Sequence, residues 1–206
     1  MAGNTQRGSL GVTAIYVAKG RDDATVAALR QLARDHLAPI VAPTNLANME
    51  GLIRERTVRV LDGLPRNETF NWVERVSVEL TTQMLATLFD FPWEDRMKLT
   101  WWSDVAIANV ADEDAVVHSE AERLAELKQM AEIMAALWKE RAARPPTFDL
   151  ISMMAHAEAT RNLNVHDYHS NVVLLIIGGN DTTRNTISGS VYALNKNPDQ
   201  YDKLRA

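Results

Sequence analysis

The stretch Ile176-Ile177-Gly178-Gly179-Asn180-Asp181-Thr182-Thr183-Arg184-Asn185 decides how the rest of the chain is interpreted. It places two glycines and an acid–alcohol pair inside a segment that otherwise has the pattern of one long apolar helix. The residues before it, 172–177, are all apolar, and an apolar face continues after it at spacings of three and four, at Thr183, Ile187, Val191 and Leu194. The pattern predicts a buried helix with polar side chains at its middle.

Two interpretations of this middle part are open from the residues alone. In the first, Gly178, Gly179 and Asn180 form a loop, Asp181 or Thr182 caps a new helix, and the protein is a non-enzymatic all-α binding or scaffold domain. In the second, the helix is continuous and carries each glycine at a cost of about 1 kcal/mol relative to alanine, so that a ligand can approach the backbone. Asp181 and Thr182 would then disturb the helical hydrogen bonds locally, and a carboxylate beside a hydroxyl suits a proton relay.

Composition limits the class of protein. The chain has 206 residues, 46% hydrophobic content and a net charge of −5 with its basic residues scattered, which predicts a globular protein with neither a nucleic-acid patch nor a polybasic membrane surface. No apolar run approaches the roughly 20 residues of a membrane span, and the N-terminus lacks the order of a secretory signal. We therefore expect a cytoplasmic protein. Cysteine is absent, which excludes disulfides, thiolate metal ligands and thiol nucleophiles in this chain.

Helix-breaking proline and glycine residues and short acidic stretches divide the chain into predicted helices. A short strand is predicted at residues 10–18, where β-branched residues precede Lys19-Gly20. Beyond it the fold class is all-α, with apolar residues at helical spacing between the breaks. The predicted helices begin at Asp23 and end before Pro39, then cover residues 44–62, 70–89, 93–109, 116–144, 149–160 and 167–194, and a last one begins at Pro198.

Motifs at four places along the chain resemble those of the cytochrome P-450 haem-thiolate monooxygenases. They include a proline-bounded turn before a helix, an aromatic-proline corner, a proline pair before a short helix, and the central stretch quoted above. As they stand here, they are Pro39-Ile40-Val41-Ala42-Pro43-Thr44-Asn45-Leu46, Leu88-Phe89-Asp90-Phe91-Pro92-Trp93-Glu94-Asp95, Arg144-Pro145-Pro146-Thr147-Phe148-Asp149-Leu150-Ile151 and Gly178-Gly179-Asn180-Asp181-Thr182-Thr183-Arg184-Asn185. Within the family, residues 41–46, 88–92 and 178–185 are similar to the bacterial class that hydroxylates terminal carbons of medium-chain alkanes and fatty acids.

The resemblance implies a fold, a cofactor and roles for particular residues. The chain would form the helical middle of the cytochrome P-450 fold, with haem as cofactor and with electrons from a ferredoxin and its reductase. Thr182 stands where the family hydrogen-bonds the oxygen molecule at the iron, and Asp181 where it connects that site to bulk protons. Gly178 and Gly179 would leave the groove for dioxygen and an apolar substrate.

Agreement with the family differs along the chain. Residues 35–206 are interpreted as a partial cytochrome P-450 domain, whereas residues 1–34 match poorly, with Arg30 standing where the family has a histidine. Arg34 stands at about the distance upstream of Pro39 at which the family has an arginine that pairs with a haem propionate. An ordinary surface arginine is the alternative interpretation of Arg34.

Two family elements are missing from the sequence. The family holds the haem iron through a cysteine thiolate, and this chain has no cysteine; the Glu-x-x-Arg pair that follows the central helix is absent as well. We therefore expect the chain as given to be inactive alone. His166 and His169 could be offered as a metal pair, but two histidines without a third ligand make a weak site.

Overall fold

The computed structural model describes residues 43–158 and 160–205, and within these ranges the chain forms helices and no β-strand. The predicted strand at residues 10–18, the boundary near residue 34 and the side chain of Arg34 lie outside the described residues. The helices are α1 (Pro43–Asp62), a π-helical turn (Val73–Val78) that leads into α2 (Glu79–Phe89), a 3₁₀ turn (Trp93–Asp95), α3 (Met97–Ile107), α4 (Glu120–Ala142), α5 (Leu150–His156), α6 (Val165–Lys196) and α7 (Pro198–Arg205).

Helix α6 is continuous through the two glycines. Asn164 caps its N-terminus, because the Asn164 side-chain oxygen accepts from the backbone N–H of Asp167 at 3.0 Å. The helix runs without a break from Val165 to Lys196, so the loop interpretation of residues 178–180 is wrong. Packing of the apolar face outweighs the free-energy cost of the two glycines. The predicted disturbance of the helical ladder is wrong too. Thr182 bonds back to a carbonyl one turn earlier and Asp181 pairs with Arg184, so both are satisfied without a widened turn.

The hydrophobic core lies where α2, α3, α4, α5 and the first half of α6 meet. On α6, Val172 and Ile176 are at most 1% exposed, whereas Val191 is 40% exposed. The prediction of a buried central helix is thus confirmed for the half before the glycines only. The largest fully buried side chains of this core are Trp102, Phe89, Leu99, Met130, Met134, Ile151, Ile176 and Val172.

Side-chain caps fix the starts of α4 and α5. The sequence placed the start of α4 too early and that of α5 correctly at Asp149, but the predicted end of α5 at residue 160 is wrong, because the helix ends at His156. Helix α4 begins after Ser119, whose hydroxyl accepts from the Glu122 N–H, rather than at Val116. Helix α5 begins after Asp149, whose carboxylate accepts from the Ser152 N–H at 2.8 Å. In each case the cap satisfies a backbone donor that has no partner within the helix.

A buried arginine joins the ends of three helices. Arg141, in the last turn of α4, donates to the carboxylate of Asp90 at 2.6 Å and to its carbonyl at 2.9 Å. Asp90 ends α2 in a left-handed conformation, with φ of 45°. The Arg141 Nε lies 3.7 Å from Asp149, the cap of α5. One guanidinium therefore fixes α2, α4 and α5 relative to one another and supports the frame behind α6.

None of the helices in the described ranges is long and apolar enough to cross a membrane.

Candidate functional site

The two glycines of α6 face different surroundings. A Cβ atom built on Gly178 would meet nothing within 4 Å, and the residue is exposed. A Cβ atom on Gly179 would lie 2.9 Å from Cδ2 of Leu85, a buried residue of α2. Gly178 thus leaves open space along the helix surface, whereas Gly179 permits close packing of α6 on α2. The groove role predicted for both glycines fits the surroundings of Gly178 more directly.

Thr182 lies one turn after Gly178 on the same open side of α6. Its hydroxyl donates to the carbonyl of Gly178 at 2.6 Å, and the residue is exposed. This bond fixes the hydroxyl next to the space that Gly178 leaves open. The hydroxyl keeps its lone pairs for a donor in that space. Thr186 repeats the arrangement one turn later, with its hydroxyl 2.7 Å from the Thr182 carbonyl.

Asp181 points away from this open side, toward α3. Its carboxylate accepts from Nη2 of Arg184 at 2.6 Å, and the same nitrogen lies 2.8 Å from Oδ1 of Asp104 on α3. The side chains of Asp181 and Arg184 are each only 16% exposed, and that of Asp104 is 27% exposed. Asp181 and Thr182 make no hydrogen bond with each other in the described structure. The predicted acid–alcohol pair is therefore adjacent in sequence but directed to two sides of the helix.

Asp181, Arg184 and Asp104 form a charged cluster that is mostly shielded from solvent. In this cluster Asp181 is protonated more readily than an aspartate in water. Burial raises the pKa of Asp181 above its usual value, and the nearby Asp104 carboxylate raises it further, while Arg184 acts in the opposite direction. For Arg184, burial acts to lower the pKa, but hydrogen bonding and attraction to Asp104 and Asp181 outweigh it, so the pKa is raised. The arrangement keeps Arg184 charged and leaves Asp181 closer to protonation than an exposed aspartate.

Sequence reasoning did not assign a role to Arg184 or Asp104. The spacing of three residues between Asp181 and Arg184 is a signal that could have been used, because side chains at that spacing meet on a helix. Asp104 is 80 positions from Arg184 in the sequence, so only the packing of α3 on α6 brings it there. Among the described residues, no group of three His, Asp or Glu side chains is placed to hold a metal ion.

Two solved structures of cytochrome P450 proteins share this arrangement of helices. A cytochrome P450-153 from Novosphingobium aromaticivorans is 45% identical, with a TM-score of 0.71, over 83% of this chain and 40% of that one. CYP153D17 from Sphingomonas sp. PAMC 26605 is 48% identical, with a TM-score of 0.72, over 83% of this chain and 42% of that one.

The chain belongs to the cytochrome P450 family. Among curated proteins, the linalool 8-monooxygenase of Pseudomonas putida is 30% identical over 176 residues, which are 84% of this chain and 42% of the relative. This P450 chain thus spans about two fifths of the length of the curated relative it matches. No protein-family model matches the chain.

Haem is the cofactor of P450 proteins, and the residues described here can be tested against it. The open space at Gly178 and the exposed Thr182 hydroxyl fit the side of the cofactor on which oxygen and substrate are held. This P450 chain has no cysteine, so it does not itself supply a thiolate ligand to the iron. Arg34, the predicted partner of a haem propionate, lies outside the described residues and stays a prediction.

Proposed function

We propose that this P450 chain is the central helical portion of a haem-dependent monooxygenase that hydroxylates an unactivated C–H bond of a medium-chain alkyl substrate. The observation that carries the proposal is the Thr182 hydroxyl, held at the open space beside Gly178 by a 2.6 Å hydrogen bond to its carbonyl. A hydroxyl beside open space on the surface of a continuous helix can bind a small polar ligand, and the lack of a side chain at Gly178 leaves room for an apolar one.

Thr182 is proposed to hold a proton at its Oγ1 and to accept or donate a hydrogen bond in the groove. Its bond to the Gly178 carbonyl sets the direction of the hydroxyl before any ligand binds, which reduces the reorganisation needed during the reaction. The Thr182 hydroxyl can release that carbonyl by rotation about one side-chain bond, because the residue is exposed and the hydroxyl has no other partner in the described structure.

Asp181 is proposed to carry protons between the protein surface and the groove. In the structure its carboxylate is engaged with Arg184, so a rotation of the side chain is required before it can serve Thr182. Arg184 retains Asp104 as a partner during that rotation, so it does not become an unpaired buried charge. The raised pKa of Asp181, caused first by burial, suits a group that must bind and release a proton.

The haem, when bound, supplies the oxygen and electron chemistry. The protein positions the substrate, excludes water and supplies protons.

The proposal of an alkyl substrate rests on the similarity of residues 41–46, 88–92 and 178–185 to the class that hydroxylates terminal carbons. Electrons are proposed to come from a ferredoxin and its reductase, and the site of action to be the cytoplasm. A scaffold role built on an interhelical loop at Gly178 and Gly179 is not favoured, because α6 is continuous there.

Expression of the gene together with the DNA that follows it tests the proposal. If that DNA supplies the cysteine-containing haem segment of the family, the purified protein should bind haem. It should then convert a medium-chain linear alkane to its terminal alcohol in the presence of oxygen, ferredoxin, reductase and NAD(P)H. A haem-loaded protein that consumes reductant yet hydroxylates none of a panel of alkanes and fatty acids would contradict the substrate class. Absence of such a segment in every reading frame would exclude catalysis.

A further inference from the structure

Asn180 is a buried amide without a protein partner. The residue is 0% exposed, and neither its Oδ1 nor its Nδ2 has a hydrogen-bond partner among the described protein atoms. Buried amides in folded proteins are nearly always satisfied by protein groups or by ordered water. A single unsatisfied atom can be tolerated, but two on one side chain in the middle of a packed helix point to a ligand at the site.

The contacts of its neighbours locate Asn180 at the junction of α2, α3 and α6. Gly179, one residue earlier, packs on Leu85 of α2, and Arg184, one turn later, pairs with Asp104 of α3. Asn180 therefore lies on the face of α6 between these two helices. About one turn before Leu85 on α2 and before Asp104 on α3, the buried hydroxyls of Thr82 and Thr100 are hydrogen-bonded to each other.

A second unpartnered polar atom lies on the facing helix. Ser103 directly precedes Asp104 on α3, is 0% exposed, and its Oγ has no hydrogen-bond partner among the described protein atoms. The Arg184–Asp104 pair sets α3 and α6 side by side at this level, so Ser103 and Asn180 belong to the same interhelical junction. Two buried polar residues without partners in one junction are the surroundings in which an internal water molecule is held.

We propose that the α2–α3–α6 junction binds ordered water that bridges the Asn180 amide and the Ser103 hydroxyl. A water molecule can accept from Asn180 Nδ2 and donate to Ser103 Oγ. The site holds α6 against α3 at the residue before Asp181, and it would do so with or without haem. It is therefore independent of the proposed function.

Substitution of Asn180 distinguishes a hydrated amide from a merely unsatisfied one. Asn180→Leu keeps a similar size but removes both polar atoms. If water is bound, the variant removes the partner of that water on α6, and the Tm should fall by about 2–4 °C. A rise in Tm would overturn the proposal, because it would mean that an unsatisfied amide had been removed. Asn185→Leu, the same change at an exposed position of α6, is the control and should leave the Tm nearly unchanged.

Two further measurements test the proposal, and the second does not require that Asn180→Leu folds. Ser103→Ala should lower the Tm of the original chain more than that of the Asn180→Leu variant, because both changes break the same water bridge; additive effects would overturn it. A high-resolution crystal structure of the unaltered chain should show a water peak within hydrogen-bond distance of both side chains. Density that shows the amide bonded directly to protein atoms, with no water, would overturn it as well.

Discussion

Nη2 of Arg184 lies 2.6 Å from Oδ1 of Asp181, on the same helix and one turn away, and it also lies 2.8 Å from Oδ1 of Asp104 on α3. Two carboxylates therefore share one guanidinium in a site that is mostly shielded from solvent. Because Arg184 has a second anion, Asp181 can leave it without stranding a charge. Asp181, the acid predicted to deliver protons, is thus paired with Arg184 at rest. It can rotate away because Arg184 keeps Asp104 as a partner.

The stability of the chain should carry a pH signature from Asp181. Burial raises the folded-state pKa of this carboxyl above the unfolded value of 3.8. The folded state then binds more protons than the unfolded state in the window that starts near 3.8 and ends above the folded pKa. The contribution of Asp181 to stability is therefore fully present below that window and is lost as pH rises through it. In Asp181→Asn this slope should disappear, measured as Tm against pH for both proteins.

A matched acid separates this effect from a change in net charge. Asp199→Asn removes one carboxylate at an exposed site on α7, where the Asp199 side chain is 68% exposed. It should leave the shape of the Tm–pH curve as in the original chain. A curve for Asp181→Asn that parallels the original through the acid range would contradict the assigned pKa shift.

Alanine at the two adjacent glycines should have different effects on folding. Gly178→Ala places its methyl group in open space within a helix, so the chain should gain about 1 kcal/mol from helix propensity. Gly179→Ala gains the same propensity but pushes its methyl group toward buried Leu85, which costs about 1–3 kcal/mol and cancels or reverses the gain. Urea unfolding of the two variants measures the difference. Equal stabilisation by both would show that α6 does not need the close approach to α2.

Loss of the buried guanidinium should destabilise the frame behind the site. Arg141→Met leaves the carboxylate of Asp149, 2% exposed, without its cationic neighbour and breaks both bonds to Asp90. We expect a loss of about 3 kcal/mol in the free energy of unfolding. Arg144→Met is the control, since Arg144 is 59% exposed and pairs with Glu140 on the surface, and it should cost under about 0.5 kcal/mol. Similar losses in the two variants would contradict the central role of Arg141.

Thr182→Ala should damage proton handling in a haem-loaded full-length protein more than it damages folding. Removal of the hydroxyl beside Gly178 should lower the product formed per reductant consumed, with peroxide released instead, because a positioned proton-transfer group contributes about 10²-fold or more to the rate of the productive step. Thr186→Ala makes the same chemical change one turn later and breaks the equivalent bond to the Thr182 carbonyl. It should retain coupling. Unchanged coupling in Thr182→Ala, or equal loss in both, would argue against the assigned role.

The sequence by itself determined the helical class, the approximate limits of α6 and the family, because apolar periodicity and the motifs at residues 39–46, 88–95, 144–151 and 178–185 are local properties of the chain. It left open whether the glycines form a loop, since glycine tolerates either conformation and only burial of the flanking apolar residues favours the continuous helix. The helix limits near Val116 and Phe70 were imprecise, because side-chain caps and a π-helical turn decide them.

Only the tertiary structure decided which way each polar group of the central stretch faces. Packing against Leu85 gives Gly179 a different surrounding from Gly178, and Asp104, distant in sequence, turns Asp181 and Arg184 toward α3. Thr182, one residue on, is carried about 100° around the helix to the open side. The physical reason is that a helix fixes the angles between neighbouring side chains. Which groups each of those side chains contacts depends on the helices packed beside it.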